Sequence, residues 1–187
     1  MTLFYYIAAN RELPLGAFGQ NKTVMTVMEY ITNVNPAAKE QMNMQFLLQK
    51  YPKGDVLMDI YETEEDAAGI YVSGPVVERP DSRLFHNRHV YQADPNGGSY
   101  CMTDGLKQSR PASYVTGKKC VTTLFGYLSR NMEAGDTFEL YGCWADNRGR
   151  FSEKPLQELT LEINLSDLIA LQEFEWKDRQ FIRVTKN

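Results

Sequence analysis

Seven consecutive residues near the N-terminus, Leu3 to Ala9 ("LFYYIAA"), are apolar or aromatic, and they constrain the fold more than any other stretch. A strand sends alternate side chains to opposite faces, so a run that is apolar on both faces belongs in the middle of a sheet. Asn10, Arg11 and Glu12 end the run, which is too short for the apolar core of a secretion signal and has no basic residues before it. It is also far too short to span a bilayer, and no other apolar run approaches that length. The chain therefore reads as a soluble, cytoplasmic protein that does not engage a membrane.

The rest of the sheet is legible at the other end of the sequence. In "LQELTLEINL", Leu159, Leu161, Ile163 and Leu165 alternate with Glu158, Thr160, Glu162 and Asn164. One buried and one wet face point to an antiparallel sheet. "TFELYGCWA" reads as another strand, and "FEWKDRQFIRV" as a hairpin turning at Asp178-Arg179. Val56 to Tyr61 and Gly69 to Ser73 are two more strands around the acidic turn "ETEEDAA". "LFHNRHVYQ" and "SYCMT" form a hairpin across the long loop "ADPNGG".

Helical spacing is clearest in "PASYVTGKKCVTTLFGYLSRNMEAG", where Val121, Leu124, Phe125, Leu128 and Met132 make one apolar stripe and Gly135 supplies a stop. Val24, Val27, Met28 and Ile31 suggest a helix over Thr23 to Thr32. A further helix starts at Asn35-Pro36 and carries Met44, Leu47, Leu48 and Tyr51 until Pro52-Lys53-Gly54 ends it. The expected architecture is α+β: a mainly antiparallel sheet of about six to eight strands with two or three helices packed on one face. We expect a single domain over 1–187, with a weak boundary near 74–83 where Pro75 and Pro80 interrupt regular structure.

Composition narrows the function mainly by exclusion. The 187 residues are 43% hydrophobic and 12% aromatic, a packed globular composition, and the net charge is −4. That balance lacks the clustered Lys and Arg of a nucleic-acid-binding surface. Cys101, Cys120 and Cys143 are odd in number and widely spaced, which fits reduced thiols in strand or apolar settings.

Three constellations carry chemical possibilities. "GAFGQNKT", Gly16 to Thr23, is one residue from the phosphate-loop pattern, with Lys22 and Thr23 correctly spaced and Asp59 placed like a magnesium-orienting carboxylate. Asn21 stands where glycine is needed, six residues separate the loop from its strand, and no repeating strand–helix units follow. The simpler reading is an irregular loop with Asn21 or Thr23 near a helix start. His86 and His89 form H-x-x-H, but on a strand they point to opposite faces and cannot chelate one ion. Either could act as a base, although no partner is visible in the sequence.

The third group concerns interfaces. Glu62, Glu64, Glu65 and Asp66 read as a solvated turn or as an acidic contact for a basic partner. Tyr141, Trp144 and Arg148 are of the types that anchor interfaces, and the loop holding Leu15 and Phe18 is a second candidate surface. The leading expectation is a small binding protein without catalytic function, such as an inhibitor, adaptor or immunity protein, whose partner is another protein with basic character. No cofactor or metal is implied. The alternative is a small nucleotide- or metal-dependent enzyme using Lys22, Thr23 and Asp59, or His86 and His89.

Overall fold

A computed structural model describes residues 3–76, 84–144 and 154–187. The strands are β1 (Leu3–Ala9), β2 (Gly16–Phe18), β3 (Thr23–Thr26), β4 (Leu57–Ile60), β5 (Gly69–Ser73), β6 (His89–Asn96), β7 (Cys101–Met102), β8 (Thr137–Trp144), β9 (Thr160–Asn164), β10 (Phe174–Glu175) and β11 (Phe181–Thr185). The α-helices are α1 (Val27–Glu29), α2 (Met42–Lys50), α3 (Glu64–Ala67), α4 (Asp104–Ser109), α5 (Pro111–Asn131) and α6 (Leu165–Ala170). The fold is α+β, and seven of the strands make a mostly antiparallel sheet in the order β2-β5-β6-β1-β8-β11-β9.

The chain divides into two compact units, one of Met1–Gln20 with Ala68–Asn187 and one of Asn21–Ala67. This division does not fall near 74–83, and residues 77–83 lie outside those described. In the larger unit β1 is central, between β6 and β8, as a run apolar on both faces requires. Its Tyr5, Ile7 and Ala9 enter the main core, while Tyr6 and Ala8 enter a second core on the opposite face. The main core is covered by α5, through Val121, Leu124, Phe125 and Leu128, and by Leu165 and Leu168 of α6. The second is smaller: Val90, Tyr141, Cys143 and Phe181 lie beneath Phe85, with Leu84 and Val76 at its margin.

Helix α5 lies close to its neighbours because Gly117 has no side chain; a Cβ there would collide with the carbonyl of Cys101. Pro111 opens this helix at the position where a missing N–H costs nothing.

Several expected pairings differ. β6 does not form a hairpin with β7. It pairs with β5 and β1, and β7 pairs with β10 in a separate two-stranded sheet. The turn residues Asp94, Pro95 and Asn96 stay in β6, because β1 accompanies that strand only over His89–Gln92. Beyond that point Pro95 has a strand on one side only, where a missing N–H is tolerated. The turn at Asp178-Arg179 exists, with Arg179 at φ 59°, but its two flanking strands join different sheets. β9 is an edge strand running parallel to β11, so its alternating pattern is only half covered, and Leu161 is exposed.

The smaller unit has a two-stranded antiparallel sheet of β3 and β4, with Val24 opposite Asp59 and Thr26 opposite Leu57, and its helices lie between the two strands in sequence. The expected helix from Thr23 begins only after Thr26, which caps α1 through a reciprocal Thr26–Glu29 box. Five residues of wider helical turn (Tyr30–Val34) and a 3-10 turn (Pro36–Glu40) follow before α2. The core of this unit is Val27, Ile31, Ala38 and Met44, with Tyr30, Leu47, Leu48, Val56 and Met58 packed against it.

Candidate functional site

Strand β8 presents Phe138 and Leu140 to the main core, and Tyr141 and Cys143 to the second. By the same alternation Glu139 points toward the second face, where it is 1% exposed. A buried carboxylate must find donors. Glu139 Oε2 accepts the backbone N–H groups of His86 at 2.8 Å and Asn87 at 3.0 Å, and Oε1 lies 2.9 Å from His86 Nδ1. Asn87 holds the segment down further, its side-chain amide donating to the carbonyls of Ala8 at 3.2 Å and Thr137 at 2.9 Å.

Cross-strand register extends the site. Glu139 is opposite Ala8 on β1 and Arg183 on β11, and Arg183 is opposite Glu162 on β9. The guanidinium donates to Glu162 at 2.6 Å, and its other nitrogen lies 3.8 Å from Glu139. His86, Asn87, Thr137, Glu139 and Arg183 line a cavity of about 300 Å3. The His86 side chain is 82% exposed while its carboxylate partner is 2% exposed. An ionised carboxylate can only accept, so Nδ1 carries the proton in the neutral ring and Nε2 keeps its lone pair toward the outside. A carboxylate that orients an imidazole, with the basic nitrogen accessible, is competent in proton transfer.

His86 was legible as a candidate base, but Glu139, Asn87 and Arg183 were not. Its partner lies 53 residues away in sequence, and only the pairing of β1 with β8 and the return of residues 84–88 over that face bring them together. The hint present in sequence was a charged residue inside the otherwise apolar and aromatic strand "TFELYGCW". His89 is the first residue of β6, paired in register with Ala9. Among the described residues no three His, Cys, Asp or Glu side chains gather as a metal ion would require.

The phosphate-loop resemblance dissolves in three dimensions. Gly16–Phe18 is strand β2, and Thr23 opens strand β3 where a phosphate loop would open a helix. Lys22 and Asp59 do meet, at 2.8 Å, as an exposed ion pair at the β3–β4 sheet. Each holds the other, and Thr23 pairs with Ile60 on the opposite face of the two-stranded sheet from Val24 and Asp59. No strand–loop–helix cradle surrounds them, so the geometry that aims backbone N–H groups at phosphate is missing among these residues.

The expected interface residues separate. Tyr141 is fully buried, with its ring against Phe85 and Phe181, and cannot meet a partner. β8 is an interior strand whose second face is also a core, so the aromatic residue is packing. Trp144, at the strand end, is exposed. Arg148 lies outside the described residues. Glu62, Glu64 and Glu65 are exposed, whereas Asp66 serves the local fold: its N–H donates to Thr63 Oγ1 and its carboxylate accepts from Thr63 and Asn21. Phe18 packs on Tyr127 at 4.9 Å between centroids, leaving Leu15 exposed in that loop.

Exposed apolar side chains concentrate elsewhere. Val24, Met28, Val34, Met42, Phe46, Tyr51 and Leu57 are half of the fourteen large apolar residues exposed among those described, and all seven fall within 21–67. Met42 and Phe46, 73% and 64% exposed, are four residues apart and so share one face of α2. Val24 and Leu57 share the exposed face of the β3–β4 sheet. The same unit holds eight acidic and four basic residues, which accounts for the whole net charge of −4. No described helix is long and apolar enough to cross a membrane. No protein-family model, curated protein or solved structure matches this chain.

Proposed function

We propose that this protein acts by binding another protein, and that the Asn21–Ala67 unit supplies the contact. The observation that carries this reading is the display of seven large apolar side chains to solvent by a unit that also carries the molecule's net negative charge. Half of the large apolar side chains exposed among the described residues fall in this one unit, and a concentration of exposed apolar groups is what an interaction surface presents. Met and Phe suit such a contact, being large and, for Met, adaptable in shape. The acidic residues favour a basic partner and speed its approach without fixing the affinity. Glu62, Glu64 and Glu65 are exposed carboxylates that follow β4 directly, and with the exposed Glu29, Asp55 and Asp59 they supply the negative charge of this surface.

A synthetic amphipathic helix of leucine and lysine, read by fluorescence anisotropy, tests the chemistry of the contact. Wild-type protein is expected to bind it, and Phe46→Asp to weaken binding about tenfold or more, the cost of losing one well-buried anchor. Charge attraction alone predicts the opposite, because Phe46→Asp makes the unit more acidic. Glu64→Lys with Glu65→Lys is expected to slow association and flatten the salt dependence. Affinity unchanged by all three substitutions would remove this unit from the binding surface.

A further inference from the structure

The His86 cavity lies wholly within the larger unit, so its chemistry stands or falls independently of the binding proposal. Four features coincide there. The imidazole is exposed and its Nδ1 is committed to a buried carboxylate. That carboxylate is itself fixed by two backbone N–H groups, so the ring is held by something that cannot drift. Arg183 and Thr137 line the same cavity, and the guanidinium, one of whose N–H groups is given to Glu162, has others that can meet a carbonyl oxygen. The depression is open to solvent and leaves about 300 Å3 beside the ring, room for a small molecule to approach it.

We propose that this cavity is an acid–base site in which His86 is the base and Glu139 its positioning residue, and that it takes a small uncharged acyl compound such as an ester. The charges around the ring select the substrate class. Glu139 and Glu162 bring two negative charges against the one positive charge of Arg183, and a histidine acting as a base is neutral. With Arg88, two residues along the chain from His86, the charges balance, so the surroundings offer no net attraction to phosphate or carboxylate substrates. His89 on β6 and Arg88 beside it are the other ionisable groups of the same chain segment. In the reaction water attacks the acyl carbon and its proton passes to Nε2. The carbon–oxygen bond to the leaving group then breaks and the leaving oxygen takes that proton, so acid and alcohol depart and the ring is neutral again.

The chain contains only two histidines, which makes the test clean. With p-nitrophenyl acetate as probe, hydrolysis is expected to fall about tenfold or more in His86→Asn and to be unchanged in His89→Asn. Glu139→Gln can satisfy the backbone N–H groups through its amide oxygen but would donate to Nδ1, turning the ring to the wrong tautomer. A folded Glu139→Gln protein should therefore lose the activity as His86→Asn does; one that keeps it would overturn the positioning role. Should that variant not fold, nitrogen NMR of wild-type protein decides: the Nδ1–H tautomer at His86 supports the dyad and the Nε2–H tautomer overturns it. Equal hydrolysis by wild type and His86→Asn would end the proposal.

Discussion

At the scale of single residues, two buried carboxylates organise the larger unit, and they do so differently. Asp136, in the turn before β8, accepts from Glu133 N at 2.6 Å, from the Asn10 amide at 2.7 Å and from Arg11 at 3.0 Å, tying the end of β1 to the end of α5. Burial acts to raise its carboxyl, but these hydrogen bonds and the Arg11 charge outweigh it and leave the group below the ordinary carboxylate value. A carboxyl depressed in the folded state adds stability that is present above its unfolded value and is lost as pH falls through the folded one. Asp136→Ala is expected to cost about 1–3 kcal/mol near neutral pH and to flatten the acid side of the stability curve, measured by urea unfolding at a series of pH values. Glu139, by contrast, is committed to a loop and an imidazole. Among the thiols, burial pushes Cys120 up and Cys143 is buried, while Cys101 is partly exposed. Iodoacetamide should label Cys101 first, which mass spectrometry of the native protein would show.

At the scale of elements, α5 is the main organiser of the fold. Its stripe of Cys120, Val121, Leu124 and Leu128 is wholly buried. Leu124→Ala should cost about 2–5 kcal/mol, because the surrounding sheet and helix cannot collapse into the space. Gly117→Ala should cost about 1–3 kcal/mol for the opposite reason, overpacking against the Cys101 carbonyl, and its melting transition should fall while the helix content by circular dichroism is retained. The helix period was readable because a face buried along its full length repeats without interruption. The strand pattern at β9 was equally regular yet misled about burial, since alternation reports which residues share a face and not whether another layer covers it. Pairing partners of β6, β7, β10 and β11 were likewise not local properties: nearness in sequence suggested hairpins, and long-range register decided otherwise.

On the scale of the whole molecule, the Asn21–Ala67 unit occupies the place of a hairpin turn. β2 and β5 pair antiparallel, Gly16 opposite Val72 and Phe18 opposite Ile70, so the chain leaves the sheet after Gln20 and returns at Ala68 from adjacent positions. Ends that lie close together let a segment be inserted or removed at small entropic cost. Joining Gln20 to Ala68 through a short Asn-Gly turn is expected to leave a protein that melts cooperatively and keeps the His86 chemistry, while binding of the leucine–lysine helix is lost. A product without cooperative unfolding would show that the larger unit depends on the insertion.

Composition and periodicity alone determined the α+β class, the central place of β1, the long α5 and the strand at β8, because burial stamps a period on the residues that endure it. They also brought His86 forward as an isolated base. Only the tertiary structure decided that Tyr141 is core, that Lys22 and Asp59 are a surface ion pair, and that Glu139 stands behind His86. Those are relations between residues from about 35 to 55 positions apart, or between a face and the layer above it, and nothing in a local pattern encodes which distant strand will supply the neighbour.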